Sequence, residues 1–263
     1  MKDKIAIQLY SLREEFAADP EGTIKQLKEM GVNNLQLDGM RGNDPQVVAQ
    51  ILKKYDMNVV GLHIKHDRFF NDLDGIIEEA YLFGCKTIYD KYIDDEDQNE
   101  AGYRKTKKAL LKVARKLSDL GFRVGLHNPE YDFNNQVGGR YVMDYITDPV
   151  NGITIYAEPD TYWITVAGKD PAEYIKRYSG RAPLIHMKDI DTSFDLTDLK
   201  NNLTELGTGD VDFESIIKWG EDNGVEYYCI EQDSSKIGMF KSIEIGLNNL
   251  RSIMEKLIEA SGD

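Results

Sequence analysis

All four histidines of this chain sit where short apolar runs give way to polar residues. In PLIHMKDID, residues 183–191, Leu184 and Ile185 lead into His186, Lys188, Asp189 and Asp191. The same change recurs along the chain. It delivers Gln8 and Tyr10, then Gln36 and Asp38, then His63 and His66, then Asp90, Lys91 and Tyr92. Further on come His127, Asn128, Glu130 and Asp132, then Glu158, Asp160 and Trp163, and finally Glu231, Gln232 and Asp233. Carboxylates and imidazoles gathered in one place repel or compete unless something compensates them, and a divalent cation does so. An imidazole among carboxylates suits Mn²⁺, Zn²⁺, Co²⁺ or Mg²⁺, with the mixed nitrogen and oxygen set favouring a transition metal. Asp160, His186 and Glu231 are the expected ligands, and the run ending at His127 is expected to add a fourth. Asp160 also has the position of a helix N-cap for the turn around Trp163.

For these residues to meet, the apolar runs must share one end of a sheet. They read as strands at 4–10, 32–38, 58–64, 85–92, 122–128, 152–160, 182–189 and 225–233. Each is followed by an amphipathic segment with helical spacing, at 19–31, 44–56, 73–84, 99–120, near 138–147, 170–180, 212–224 and 240–258. Asp19 before Pro20, and Asp44 before Pro45, have the N-cap and first-turn arrangement of helix starts, and Gly31 and Gly121 mark stops. Eight strand–helix units at about 30 residues each predict an α/β fold: a single (β/α)₈ TIM barrel over 1–263, with chemistry at the C-terminal ends of the strands. No glycine-rich phosphate fingerprint follows the first strand, which disfavours a doubly wound open sheet.

The 263 residues include 46 acidic and 32 basic side chains, for a net charge of −14. Such a surface repels phosphate backbones, so no nucleic-acid partner is expected. The apolar runs are too short to span a bilayer, so no membrane partner is expected either. Cys85 and Cys229 lie in strand-like runs, and with no leader pattern at the start they point to free thiols in a reducing, cytoplasmic setting.

The stretches IQLYSLRE, LHNPEYDF, EPDTYW, AGKDPAEYIKRYSGRAPLIHMKD, ELGTGDVDF and IEQD, in that order, resemble the xylose-isomerase-like sugar phosphate isomerase/epimerase superfamily. The resemblance covers nearly the whole chain. It implies a metal held by residues from strands 5 to 8, three of them being Asp160, His186 and Glu231. Relatives carry His-Asn-His and a later glutamate on strand 5. Here Pro129 replaces the second histidine and Asp132 stands at the glutamate position, with Glu130 nearby. The strand-5 ligand is therefore expected to be Asp132, with Glu130 as the alternative. Relatives also often carry a glutamate at the end of strand 2, where this chain has Gln36.

The resulting expectation is a metal-dependent isomerase or epimerase acting on a keto-sugar or related polyol through an enediolate. Glu231 is the expected base, with Lys188 or His63 stabilising the developing oxyanion. Gln8, Tyr10, His127, Trp163 and Gln232 are expected to contact a small carbohydrate. One alternative keeps the first step and ends in elimination, as a lyase or dehydratase on a keto-glycoside or cyclitol. Another is a barrel that binds sugar without turnover. A metal-dependent nuclease fits poorly with four histidines and an acidic chain. A homo-oligomer is compatible with each of these readings.

Overall fold

The computed structural model describes residues 1–199 and 201–261. Eight strands, numbered in chain order, form one parallel sheet: β1 Ile5–Gln8, β2 Asn34–Leu37, β3 Asn58–Ile64, β4 Thr87–Asp90, β5 Arg123–His127, β6 Tyr156–Glu158, β7 Leu184–Met187 and β8 Tyr227–Ile230. Their order is β6-β5-β4-β3-β2-β1-β8-β7. The two edge strands then meet through a single parallel bridge between Asp160 and His186. There the His186 amide donates to the Pro159 carbonyl at 2.9 Å. The barrel thus closes at two of the expected metal ligands, and its last seam sets their separation.

Helices follow the strands: α1 Pro20–Glu29, α2 Pro45–Lys54, α3 Leu73–Leu82, α4 Glu100–Ser118, α5 Val142–Ile146, α6 Pro171–Tyr174, α7 Phe213–Asp222 and α8 Met239–Ser261. Asp19 and Asp44 cap α1 and α2 by accepting from the Gly22 and Gln46 amides. Asp170 and Asp212 do the same for α6 and α7, each satisfying an amide that a helix start leaves unpaired. The expected helix near 138–147 is shorter than its sequence pattern. Gly138 and Gly139, both at positive φ, turn a hairpin between Gln136–Val137 and Arg140–Tyr141, and the helix starts only at Val142. The segment 170–180 divides into α6 and a 3-10 turn, Ile175–Tyr178.

Strand alternation decides which side chains enter the barrel. On β7, Ile185 and Met187 join the large core between sheet and helices, while Leu184 packs inside with Ala6, Val60, Tyr89 and Cys229. Two residues beyond Leu184 is His186, and two further is Lys188, so both follow it inward. The interior is tight: a Cβ on Gly125 would lie 2.4 Å from the Tyr89 ring. Cys85 and Cys229 are buried free thiols. Among the described residues, no helix is long and apolar enough to cross a membrane.

Candidate metal centre and cleft

The inward positions at the C-terminal end of the barrel converge. His127, Asp160, His186 and Glu231 each present one donor atom, all within 4.8 Å of one another. His127, Asp160 and His186 each have the remaining donor or acceptor committed elsewhere. Asp160 Oδ1 accepts from the Tyr162 and Trp163 amides, so the carboxylate does cap the helical turn Thr161–Val166. Its other oxygen, Oδ2, has no hydrogen-bond partner and lies 3.7 Å from His127 Nε2 and 3.8 Å from His186 Nδ1. The His127 Nδ1–H donates to the Lys91 carbonyl at 3.3 Å, which leaves Nε2 bare and facing Asp160. The His186 Nε2–H donates to Gln36 Oε1 at 2.7 Å, and Nδ1 stands 2.9 Å from Glu231 Oε2.

This arrangement fits a divalent cation. Burial alone would lower the His186 pKa, but Glu158 and Glu231 push it well above the usual imidazole range. Burial alone would raise Glu231, but His186 and Lys188 hold it well below the usual carboxylate range. Three buried donor atoms, His127 Nε2, Asp160 Oδ2 and His186 Nδ1, lack a hydrogen-bond partner at the same spot. Buried polar atoms are rarely left so. One cation shared among them and Glu231 would satisfy all three. His63, Glu158 and His186 also lie close enough to form a donor group. That group is already satisfied, because the His63 Nε2–H donates to Glu158 at 2.5 Å and Gln36 Nε2 donates to the other Glu158 oxygen.

Asp132 is not brought to the centre. It is buried in the short helix Tyr131–Asn134, and its Oδ1 accepts the Met143 amide at the start of α5. Burial pushes its pKa up to about 8, although the Met143 amide works against this. Glu130 lines the cleft rim but lies outside the donor group. The strand-5 donor in reach is His127, which the sequence reading had given to the substrate.

A cleft of about 370 Å³ opens above the donor set. Tyr10, His63, Lys91, His127, Trp163, Lys188, Glu231 and Asp233 are among its walls. Lys188 is buried. Its Nζ lies 2.5 Å from Asp233 and 3.9 Å from both Asp160 and Glu231, with the Tyr162 and Trp163 rings about 5 Å away. Burial opposes its charge, but Asp233, Glu231 and Asp160 raise its pKa, so it is a fixed cation. Gln8 and Gln232 are buried behind the walls. Gln8 donates to His63 Nδ1, and Gln232 bonds Ser11 through its backbone amide and Ser234 through its side chain. His63 reaches the cleft with both ring nitrogens engaged, and burial lowers its pKa despite Glu158. Asp189 is turned away. It accepts amides from Ile190, Gly207, Gly209 and Val211 and ties the GTGD loop to β7.

Three residues of the site are named at strand ends in the sequence reading but given no role there. Glu158 is fully buried below the donor set, 3.6 Å from His186 Nε2. Gln36 links Glu158 to His186 through opposite ends of its amide, so it fixes that ring's orientation. Lys91 stands in the cleft wall, 2.8 Å from Asp38. Burial, Arg41 and Lys65 bring its pKa down to about 8. All three occupy inward positions at strand ends, and that periodicity was the signal that could have given them roles.

No family model matches the chain. A stretch of 169 residues is 24% identical to the inosose dehydratase of Clostridium perfringens, covering 60% of this chain and 56% of that protein. The chain thus spans little more than half the length of that curated relative. A sugar phosphate isomerase/epimerase from Parabacteroides distasonis superposes with a TM-score of 0.76 at 17% identity, over 95% of this chain and 94% of that one. The IolI protein, solved with a bound zinc atom, superposes at 0.69 with 13% identity, over 96% and 98% of the two chains. The fold is the xylose-isomerase-like TIM barrel.

Proposed function

We propose that this barrel is a divalent-cation-dependent enzyme that removes the proton α to the carbonyl of a keto-sugar or keto-cyclitol and ends in β-elimination. The observation that carries this is the donor set: three unpaired buried atoms and the Glu231 carboxylate, converging under a cleft beside a permanently charged lysine. His127, Asp160, His186 and Glu231 would hold the cation. When bound, it supplies Lewis acidity to a carbonyl and its neighbouring hydroxyl.

The chain's own groups do the rest. The Glu231 carboxylate accepts the α-proton. Lys188, too basic to give up its proton, stabilises the negative charge that gathers on the carbonyl oxygen. The electron pair released at the α-carbon forms the new double bond as the C–O bond at the β-carbon breaks. Lys91, in the cleft wall with Glu231, gives its proton to the departing oxygen. A leaving hydroxyl becomes water, a leaving glycosidic oxygen an alcohol, and proton return through solvent resets both groups. Trp163 and Tyr10 offer flat apolar faces to the ring. Gln8, His63, Glu158 and Gln36 form one hydrogen-bonded chain that ends on the His186 ring and positions it.

Elimination is favoured over two-base epimerisation because strand 5 brings an imidazole, not a carboxylate, to the donor set, and of its two carboxylates, Asp160 and Glu231, Glu231 alone lines the cleft. The inosose dehydratase relative points the same way. Isomerisation shares the first step and requires Glu231 to return the proton to the adjacent carbon. The test is incubation of the metal-loaded protein with an inosose and a set of ketoses, followed by mass spectrometry. Loss of the mass of water supports elimination, a product of unchanged mass means isomerisation, and no change with any added metal refutes the reading as an enzyme.

A further inference from the structure

The cleft has an annex whose far side, Arg41, Lys65 and Arg68, the reaction above does not use. A second cavity, of about 570 Å³, shares Asp38, His63 and Lys91 with the first and extends to Arg41, Lys65 and Arg68. We propose that the substrate of this site carries an oxyanion, a carboxylate or a phosphate, seated against Arg41 and Lys65. This rests on the proposed reading of the adjoining cleft as the place where the ring reacts.

The charge balance of the annex leads there. Arg68 is committed to Asp72 and Glu79. The buried Asp38 pairs with both Arg41 and Lys91, so one carboxylate serves two cations, and exposed Lys65 adds a third. In a chain of net charge −14, this local surplus of positive charge runs against the whole field. Such a concavity draws anions, and a neutral sugar makes no use of it.

The backbone is shaped to hold this arrangement. Gly39, Arg41 and Gly42 have φ of 72°, 50° and 88°. A non-glycine residue in the left-handed region costs free energy and persists where its surroundings hold it. Here the turn brings the Arg41 guanidinium to 5.5 Å from the Tyr10 ring, which Arg13 approaches at 4.5 Å. Tyr10 also faces the reaction cleft. An oxyanion in the annex would thus be anchored beside the cleft that holds the donor set, and arginine suits such a group because it offers two parallel donors.

The test titrates inorganic phosphate in one arm and glycolate in the other into wild type, Arg41→Gln and Lys65→Gln. Calorimetry is run on metal-loaded and on chelator-treated protein. Binding of one of the two anions is expected in both forms, and each substitution should weaken it roughly tenfold, the loss of one charge-assisted hydrogen bond. Lys65 is exposed, so its variant keeps the test valid if Arg41→Gln misfolds. Absence of binding in both arms, binding by both variants as tight as by wild type, or binding only with metal present would overturn the proposal. Metal content and dehydration of a neutral inosose are measured alongside. If those succeed and no anion binds, only this inference falls. If they fail while an anion binds at Arg41, the reaction assignment falls instead.

Discussion

Asp132→Asn separates two roles for one carboxylate, metal ligand or buried structural acceptor. In the fold, Asp132 is buried, with Oδ1 on the Met143 amide and Oδ2 without a partner. Burial raises its pKa from an ordinary 3.8 to about 8. The folded protein therefore keeps a proton on Asp132 that the unfolded chain releases near pH 4. Between those values the folded state binds more protons, so this group's contribution to stability is full below pH 4 and is lost as pH rises through 8. The slope is about 1.4 kcal/mol per pH unit, or roughly 6 kcal/mol across the window. Asparagine keeps an acceptor for Met143 and cannot ionise. Any fixed cost of its amide group is independent of pH and cancels in the slope. Urea unfolding of both proteins at pH 5, 6, 7 and 8 should show the variant gaining on wild type by about 1 kcal/mol or more per unit. In melting temperature that is about 2 °C per kcal/mol for a domain of this size. A difference that stays flat with pH refutes the burial reasoning. Loss of bound metal in the variant would restore Asp132 as a ligand.

Other substitutions test the centre and the barrel directly. His127→Ala should lower metal affinity at least 100-fold, measured by competition with a chromogenic chelator, while Asp132→Asn leaves it unchanged. Gln36→Leu removes the acceptor that fixes the His186 ring, and should cost about 10- to 100-fold in metal affinity without touching a ligand. Lys188→Met should retain metal but lose about 10² to 10³ in kcat, as expected for a preorganised charge at a developing oxyanion. Gly125→Ala places a methyl against the Tyr89 ring inside the barrel. It should cost about 1–3 kcal/mol in urea unfolding, and unchanged stability would show that the interior yields more than its packing implies.

The barrel was legible because each of its signals is local. Apolar runs followed by amphipathic segments repeat eight times, Asp-Pro pairs start three of the helices, and Asp19 and Asp44 cap as their positions predict. The segment at 138–147 misled because residues 142–146 read as helix, while the Gly138–Gly139 turn before them depends on tertiary pairing. For the site, the change from apolar run to polar residues marked His186, Lys188 and Glu231. The strand-5 donor was misread because a motif position drew attention to Asp132, five residues past His127. A short helix after the strand turns Asp132 toward α5, and no linear spacing reveals that turn. The roles of Glu158 and Gln36 were also hidden, since they exist only where β2, β3, β6 and β7 meet across the barrel. Asp160 is both cap and free donor, one oxygen for each role, so the two sequence readings of that residue were compatible from the start.

The central claim is that one cation sits among His127, Asp160, His186 and Glu231. Anomalous diffraction from crystals grown with Zn²⁺, recorded on both sides of the zinc absorption edge, tests it most directly. The expected result is a single strong peak within bonding distance of those four side chains, with Asp132 and Glu130 outside its shell. A peak ligated by Asp132, a peak between His63 and Glu158, or no peak inside the barrel would contradict it.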